Sequence, residues 1–373
     1  MVATLRVMLD QLVVPTEPVL AEASRDLTRA LIAGAPAGCE VEGIAPAGGD
    51  GDPEVPGLSG LRRTALPRRE LAAALQLGVG TGIGGGMIHS PTLLAPLVKH
   101  DRVHDNDQTV VTVWDLRPWE TPADLSRAAV GWHKAMLKRA VRHADAIVVP
   151  THSIAERLSD LARVGDRVRV VAGASPLGFA VPTDEVGRRR ALDLPEGFVL
   201  LAGGPMPSDS LDTGFRAIAA SGVDLPVVVI DVEDGHEPAV AELAAAAGLP
   251  ERRLHVRGAL DAADRAAVFG AAVAFLAPSR RGAFPWRVID ALTLGVPIIA
   301  AASDVHSEVI VDGGELVAVT DASSLAEGIG AALQSALAST TAADRLAVLS
   351  GDRGRAFSWR EAADKVWLLH AEL

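Results

Sequence analysis

Three arginines lie close together in the second half of the chain, at positions 280, 281 and 287. They follow an apolar run that predicts a buried strand, and they precede a segment with helical spacing. Backbone N–H groups at the start of a helix and guanidinium groups both bind phosphate. The pattern predicts that Arg280–Arg287 binds an anion. The alternative, that Arg280, Arg281 and Arg287 are surface charges, stays open.

The overall charge balance argues against nucleic acid as a partner. The chain of 373 residues has a net charge of −12, aromatic residues make up 3 %, and tyrosine is absent. Residues 186–373 hold 25 acidic and 16 basic side chains, whereas residues 1–185 hold 22 and 19. Binding to a phosphate backbone needs a basic face, and binding to single strands needs stacking aromatics. We therefore expect no nucleic-acid partner.

Two other motifs carry little chemistry. Gly80–Gly85 matches GxGxxG in form, but a predicted helix precedes it and a predicted strand follows it, the reverse of a dinucleotide loop. His100 and His104 stand four apart without the glutamate of an HExxH site. A solvated connection is the favoured interpretation there, with a metal site as the alternative. Because Cys39 is the only cysteine, a disulfide within the chain and a cysteine-rich metal site are both excluded.

A basic stripe marks the long predicted helix 126–143. Lys134, Lys138 and Arg142 recur every four residues and therefore share one face of this helix. A solvated helix face is the favoured interpretation, since surface charge is common. Docking of an anionic acceptor or of a membrane surface is the alternative.

The elements that position these residues alternate between strand and helix. Continuous β-branched runs such as Val110–Val113 and Ile147–Val149 are typical of buried parallel strands. After residues 168–171 the alternation starts again, which predicts two Rossmann-like lobes joined near residues 173–183. We expect ligands at the carboxyl ends of the strands, in a cleft between the lobes. The Gly- and Pro-rich stretch 48–67 is predicted to be a surface loop.

The segment Pro278–Pro297 resembles the donor-site signature of retaining glycosyltransferase family 4. The matching landmarks keep the spacing of that family, and they are Pro278, Ser279, Phe284, Ala291, Gly295 and Pro297. Other stretches resemble further parts of the family, namely 87–91, 109–116, 139–153 and 357–359. The resemblance implies the GT-B fold, with two Rossmann-like lobes whose parallel sheets face a central cleft. It places the acceptor-side lobe at residues 1–175, the donor-side lobe at 176–356, and a terminal helix that packs on the first lobe at 357–373.

The resemblance also assigns roles to individual positions. It implies catalytic positions at Trp114, Asp115 and Gly282. It implies donor contacts at Gly203, Gly204, Ser208, Asp209, Arg280, Arg281, Ala283, Phe284, Arg287 and Asp290. Several of these depart from the family, in which a histidine stands at 114, basic residues stand in 203–209, and glutamates stand at 282 and 290. The Gly-rich loop of the family falls at Pro18–Ala21, which has no glycine.

Two functions follow from the resemblance. The first is transfer of a sugar, with retention and without metal, from a nucleotide diphosphate sugar to a glycan or lipid-linked acceptor. The second is a catalytically impaired pseudo-glycosyltransferase that serves as a binding or scaffold subunit beside an active glycosyltransferase. The sequence shows no secretory signal and no apolar run long enough for a membrane span. We expect a cytoplasmic protein, with peripheral contact at the inner face of a membrane as an extension.

Overall fold

The computed structural model of the protein describes residues 2–48, 53, 55–318 and 321–373. The strands are β1 Ala3–Met8, β2 Cys39–Ala47, β3 Gly60–Pro67, β4 Met87–Ser90, β5 Gln108–Thr112, β6 Ala146–Val149, β7 Val168–Val170, β8 Phe198–Ala202, β9 Val227–Ile230, β10 Leu254–Val256, β11 Ala272–Ala277, β12 Ile298–Ala301 and β13 Glu315–Val317. The helices are α1 Asp10–Val13, α2 Pro18–Ala33, α3 Arg68–Leu77, α4 Arg117–Glu120, α5 Arg127–His143, α6 His152–Leu161, α7 Glu185–Ala191, α8 Leu211–Ser221, α9 Glu237–Ala246, α10 Ala262–Ala271, α11 Trp286–Leu294, α12 Asp304–Ile310, α13 Ala322–Ala336, α14 Thr340–Gly354 and α15 Trp359–Glu372. The predicted alternation of strand and helix is confirmed.

The first compact unit comprises Met1–Ala174, Gly282–Phe284 and Ser358–Leu373. In its described part the sheet has the strand order β3-β2-β1-β4-β5-β6-β7, and every pairing is parallel. Strands β5 and β6 are buried along their whole length. Parallel strands that are covered on both faces are buried in this way, and β6 is accordingly apolar at every position.

Strand β3 corrects the prediction of a surface loop over residues 48–67. Residues 49–52 and 54 lie outside the described residues, but Gly60–Pro67 pairs with β2 in parallel register. The strand lies at the edge of the sheet, and Arg62 and Arg63 are exposed. β3 pairs with a neighbouring strand on one side only, and most of its side chains are not buried. Its sequence therefore contains no continuous apolar run. The hydrophobic pattern therefore did not reveal it.

The terminal helix α15 packs against α2 within the first unit. The indole of Trp367 donates to the carbonyl of Leu31 at 3.0 Å. Nδ1 of His370 donates to Oε1 of Gln108 at 2.9 Å, and its ring meets that of His89 edge-on at 5.6 Å between centroids. Burial lowers the pKa of His370 to about 4 and holds the pKa of His89 well below its ordinary value. Both histidines are therefore neutral in the folded protein at neutral pH.

The second compact unit comprises Ser175–Arg281 and Pro285–Phe357. In its described part the sheet has the order β10-β9-β8-β11-β12-β13, again wholly parallel. Strand β8 lies between β9 and β11, so the chain order reverses beside it. In open α/β sheets such a switch point opens a crevice at the carboxyl ends of the strands, where ligands bind.

Helix α11 carries the residues after the arginine-rich segment. It begins at Trp286 after Pro285 and ends at Leu294. Gly295 is the C-cap, and its φ of 66° is the left-handed conformation that the sequence predicted. Helix α14 packs against it. A Cβ at Gly354 would lie 2.4 Å from the carbonyl oxygen of Leu292, so glycine permits this close approach. The position of α11 is thus set by backbone contact.

Candidate functional site

Two polar clusters contain the sequence-predicted residues, one in each compact unit. In the second unit the backbone turns immediately after β8. The N–H of Gly204 donates to Oδ2 of Asp209 at 2.9 Å, and Nη1 of Arg281 donates to Oδ1 of the same carboxylate at 2.6 Å. The hydroxyl of Ser279 donates to the carbonyl of Ser208 at 2.6 Å, which ties the turn to the segment after β11. Gly203, Gly204, Ser208, Asp209 and Arg281 are therefore brought together.

A second ion-pair network holds the start of α11. Asp290 accepts from Nε of Arg265 at 2.9 Å and from Nη1 of Arg287 at 2.8 Å. Arg287 also donates through Nε to Asp231 at 2.6 Å. The side chains of Arg265 and Asp290 are 1 % and 3 % exposed. The carboxylate of Asp290 therefore pairs with two arginines inside the second unit, and its role as a donor contact stays a prediction.

Both networks compensate charge within the unit. Arg281 and Arg287 each pair with an aspartate, and anion binding by Arg280–Arg287 stays a prediction. Arg280 is exposed. The pKa of His306 is lowered by burial and by the charge of Arg281. A hydrogen bond to the carbonyl of Ala301 raises this pKa but does not outweigh the other two effects. Two of the three arginines, Arg281 and Arg287, therefore already have carboxylate partners.

In the first unit, Trp114 and Phe284 form the apolar side of the other cluster. The indole of Trp114 donates to the carbonyl of Pro91 at 2.8 Å, and its ring lies 5.8 Å from that of Phe284. The N–H of Phe284 donates to the carbonyl of Trp114 at 3.0 Å, and Asp115 pairs with Ala283 in an antiparallel bridge. Trp114 is thus a buried packing residue that anchors residues 282–284.

The carboxylate of Asp115 is turned onto Arg117. Oδ2 accepts from Nε at 3.0 Å and from Nη2 at 2.7 Å, and Arg117 also pairs with Glu17. Burial lowers the pKa of Arg117, but the two carboxylates outweigh that effect and raise it. This group therefore remains a cation at any physiological pH, held at the start of α4.

Gly282 lies against a glutamate of the same unit. Its N–H donates to Oε2 of Glu120 at 3.0 Å, and Arg157 pairs with the other oxygen of Glu120. A Cβ at Gly282 would lie 2.6 Å from Oε2 of Glu120. The carboxyl group of Glu120 thus fills the space that a side chain at position 282 would need.

The sequence reasoning missed Glu120 and Asp231 in these clusters, and it also missed the buried carboxylate of Asp10, which lies apart from them. Asp10 is fully buried, accepts from Arg68 at 3.0 Å and from Gln11 at 2.8 Å, and has its pKa raised by desolvation against the lowering effect of Arg68. Asp231 directly follows β9 and has a φ of 64°. An acidic residue soon after a buried strand is a usable signal, and it would have found Asp10 and Asp231. Glu120 carries no such signal.

The remaining sequence motifs lie elsewhere. Gly80–Gly85 connects α3 to β4, which confirms that it is not a dinucleotide loop. His100 pairs with Asp145 at 2.8 Å and His104 with Asp101 at 2.8 Å. The described residues contain no group of three or more His, Cys, Asp or Glu placed to hold a metal ion. Lys134, Lys138 and Arg142 are exposed on α5.

Known proteins share both the fold and part of the sequence pattern. Residues 211–345 match the family model described as Glycosyl transferases group 1. Sucrose-phosphate synthase from Thermosynechococcus elongatus superposes with a TM-score of 0.73 at 21 % identity, over 99 % of this chain and 98 % of that chain. HepE from Anabaena, in complex with UDP and glucose, gives 0.69 at 16 % identity over 100 % of both chains. A glycosyltransferase from Rickettsia africae gives 0.69 at 14 % identity, over 100 % and 98 %. No curated protein sequence gives a match.

These comparisons show the fold. The two parallel-sheet α/β domains match those of GT-B glycosyltransferase structures. The second unit carries the sequence pattern of glycosyl transferases group 1. Among the described residues, every helix is too short or too polar to cross a membrane.

Proposed function

We propose that the protein is a retaining glycosyltransferase of the family 4 type, which transfers a sugar from a nucleotide diphosphate sugar to a glycan or lipid-linked acceptor. One observation carries the proposal. The group 1 match at residues 211–345 falls in the second unit, in which Gly203–Asp209 follow β8 and Arg280–Arg281 come after β11. HepE, which shares the fold along the whole chain, was solved with UDP and glucose.

The proposed donor site lies at the carboxyl ends of β8 and β11. Breaking the bond between sugar and diphosphate leaves negative charge on the phosphate oxygens, which needs positive charge and N–H donors placed in advance. The N–H of Gly204 and the guanidinium groups of Arg280 and Arg281 are of the required kind, so we propose that they take this role without a metal. In the first unit we propose catalytic positions at Trp114, Asp115 and Gly282, as the resemblance implies.

We propose that the acceptor is lipid-linked and that α5 brings the protein to a membrane as a peripheral protein on the cytoplasmic side. Helix α5 contains five Lys or Arg residues and no acidic residue, in a chain of net charge −12. Each lysine or arginine close to an anionic bilayer adds about 1 kcal/mol of attraction. We expect Lys134→Glu with Lys138→Glu to abolish flotation with phosphatidylglycerol vesicles. The control, Lys365→Glu on α15, should leave flotation unchanged.

Calorimetric titration with a panel of UDP- and GDP-sugars tests the proposed donor. We expect wild-type protein to bind at least one of them, and Arg281→Ala to weaken that binding about 10-fold or more, because a charge-assisted hydrogen bond contributes about 1.5–3 kcal/mol. Arg216→Ala is the matched control, since Arg216 is also paired with an aspartate but lies exposed on α8. Equal weakening by both variants would contradict the proposed site. The anomeric configuration of the product, measured by NMR, tests retention.

A second candidate function rests on the internal charge pairing. Asp209 and Asp231 neutralise Arg281 and Arg287, Asp290 is buried, and the space beside Gly282 is filled. These features favour a pseudo-glycosyltransferase that acts as a binding or scaffold subunit with an active glycosyltransferase. This function predicts no transfer from any donor. It also predicts that the protein co-purifies with a catalytically competent partner and that surface variants of the first unit disrupt the pair.

A further inference from the structure

The carboxylate of Asp209 accepts hydrogen bonds from two groups that could also donate to a phosphate. One is the N–H of Gly204, at 2.9 Å from Oδ2, and the other is Nη1 of Arg281, at 2.6 Å from Oδ1. The Asp209 side chain is 11 % exposed and that of Arg281 is 35 % exposed. A backbone N–H and a guanidinium group bound to the two oxygens of one anionic group are the contacts that phosphate makes in proteins.

The backbone here leaves room for an anion to approach closely. Gly203 has a φ of 118°, which side-chain-bearing residues rarely adopt. A Cβ at Gly203 would lie 3.0 Å from Cγ of Asp209. The glycine therefore lets a carboxyl group rest directly on the backbone that follows β8. A phosphate of similar size needs the same room.

Asp209 reaches this place by a turn of its own segment. Its N–H donates to the carbonyl of Met206 at 3.0 Å, and Ser210 leaves the turn with a φ of 56° before α8 begins. The turn folds residues 206–210 back over Gly203 and Gly204. The anionic group is thus supplied by the chain itself, at the carboxyl end of β8, where ligands bind in open α/β sheets.

We propose that Asp209 is an intramolecular anion that occupies a phosphate-binding position formed by Gly204 and Arg281, and that it decides whether the second unit holds a phosphate or diphosphate group. A diphosphate binds there only when Asp209 leaves. This inference rests on the proposed function, because a nucleotide sugar must displace Asp209 before its diphosphate can bind to Gly204 and Arg281. Removal of the carboxylate converts the position into an open anion site.

Titration calorimetry with inorganic pyrophosphate tests the inference directly. Asp209→Asn should tighten the Kd for pyrophosphate by about 10-fold or more over wild type, since it frees one charged donor and removes a like charge. Asp212→Asn should leave the Kd unchanged, because Asp212 is paired with Arg216 on the exposed side of α8. Addition of Arg281→Ala to Asp209→Asn should abolish the gain.

Several outcomes overturn the inference. One is a folded Asp209→Asn protein with the wild-type Kd, and another is a gain that survives Arg281→Ala, which would place the anion elsewhere. Should Asp209→Asn fail to fold, Asp209→Ser provides the same comparison with a shorter side chain. If wild type binds UDP-glucose but neither variant tightens pyrophosphate, the inference fails and the proposed function stands. If pyrophosphate binding tightens but no nucleotide sugar supports transfer, the inference stands and the proposed function fails.

Discussion

Replacement of Asp290 by asparagine tests whether this residue is structural. The carboxylate lies between two guanidinium groups, at 2.9 Å from Nε of Arg265 and 2.8 Å from Nη1 of Arg287. Asp290→Asn keeps the size of the side chain and removes the charge. Arg287 retains Asp231 as a partner, whereas Arg265 is 1 % exposed and loses its carboxylate. The variant therefore leaves the buried Arg265 cation without the carboxylate of Asp290.

The structure sets the size of the effect. Breaking a buried ion pair by removal of one partner costs about 3–5 kcal/mol. For a domain of this size each kcal/mol lowers the Tm by about 2–4 °C, so the transition of the second unit should fall by about 6–20 °C. Asp212→Asn removes an exposed pair with Arg216 and should cost less than about 1 kcal/mol.

Differential scanning calorimetry of the full chain measures both variants. A double-mutant cycle with Arg265→Met should recover part of the loss, because it removes the buried cation that has lost the Asp290 carboxylate. If Asp290→Asn melts within about 2 °C of wild type, the network does not stabilise the unit as argued. A Tm near that of wild type together with weaker nucleotide binding would return Asp290 to the role that the sequence assigned to it.

Three further predictions concern the first unit. The folded pKa of His370 is about 4 and its unfolded value is 6.5, so the unfolded chain binds the proton first as pH falls. Protonation of His370 should therefore lower the free energy of unfolding by about 3 kcal/mol between pH 7 and pH 4. The urea midpoints of wild type and His370→Phe should converge at low pH, and parallel curves would contradict this prediction. Gly282→Glu places a second carboxyl against Glu120, so its loss in Tm should shrink in a Glu120→Ala background, and additive losses would refute the contact. Trp114→Phe leaves the Pro91 carbonyl without its donor and should lower the free energy of unfolding by about 1–3 kcal/mol in urea titration, whereas a change below about 0.5 kcal/mol would count against that bond.

Most of the fold could be predicted from the sequence, because a buried parallel strand is visible as a short run of β-branched and apolar residues. Strands β5 and β6 are buried along their length, and the β-branched runs 110–113 and 147–149 predicted their bounds within one or two residues. The C-cap at Gly295 was also predictable, since the left-handed conformation selects glycine. Strand β3 was missed because it forms the edge of its sheet and depends on pairing with β2.

The site was less predictable because its partners are distant in sequence. Arg287 meets Asp231 across 56 positions and Arg281 meets Asp209 across 72. Gly282 meets Glu120 across 162 positions. The residue types indicated an anion site. Only the tertiary structure shows that Arg281 and Arg287 already form ion pairs with carboxylates of the chain. Asp290 illustrates the same limit, because its burial beneath Arg265 follows from the packing of α10 and α11.

The central claim is that a nucleotide diphosphate sugar is the donor substrate. The most direct measurement is release of UDP or GDP from a panel of UDP- and GDP-sugars, followed by chromatography, with wild type and Asp209→Asn in parallel and each titrated by calorimetry. The account predicts that at least one donor binds to wild type, releases its nucleotide in the presence of acceptor, and binds more tightly to Asp209→Asn. Absence of binding to both proteins, with both folded by calorimetry, would contradict it.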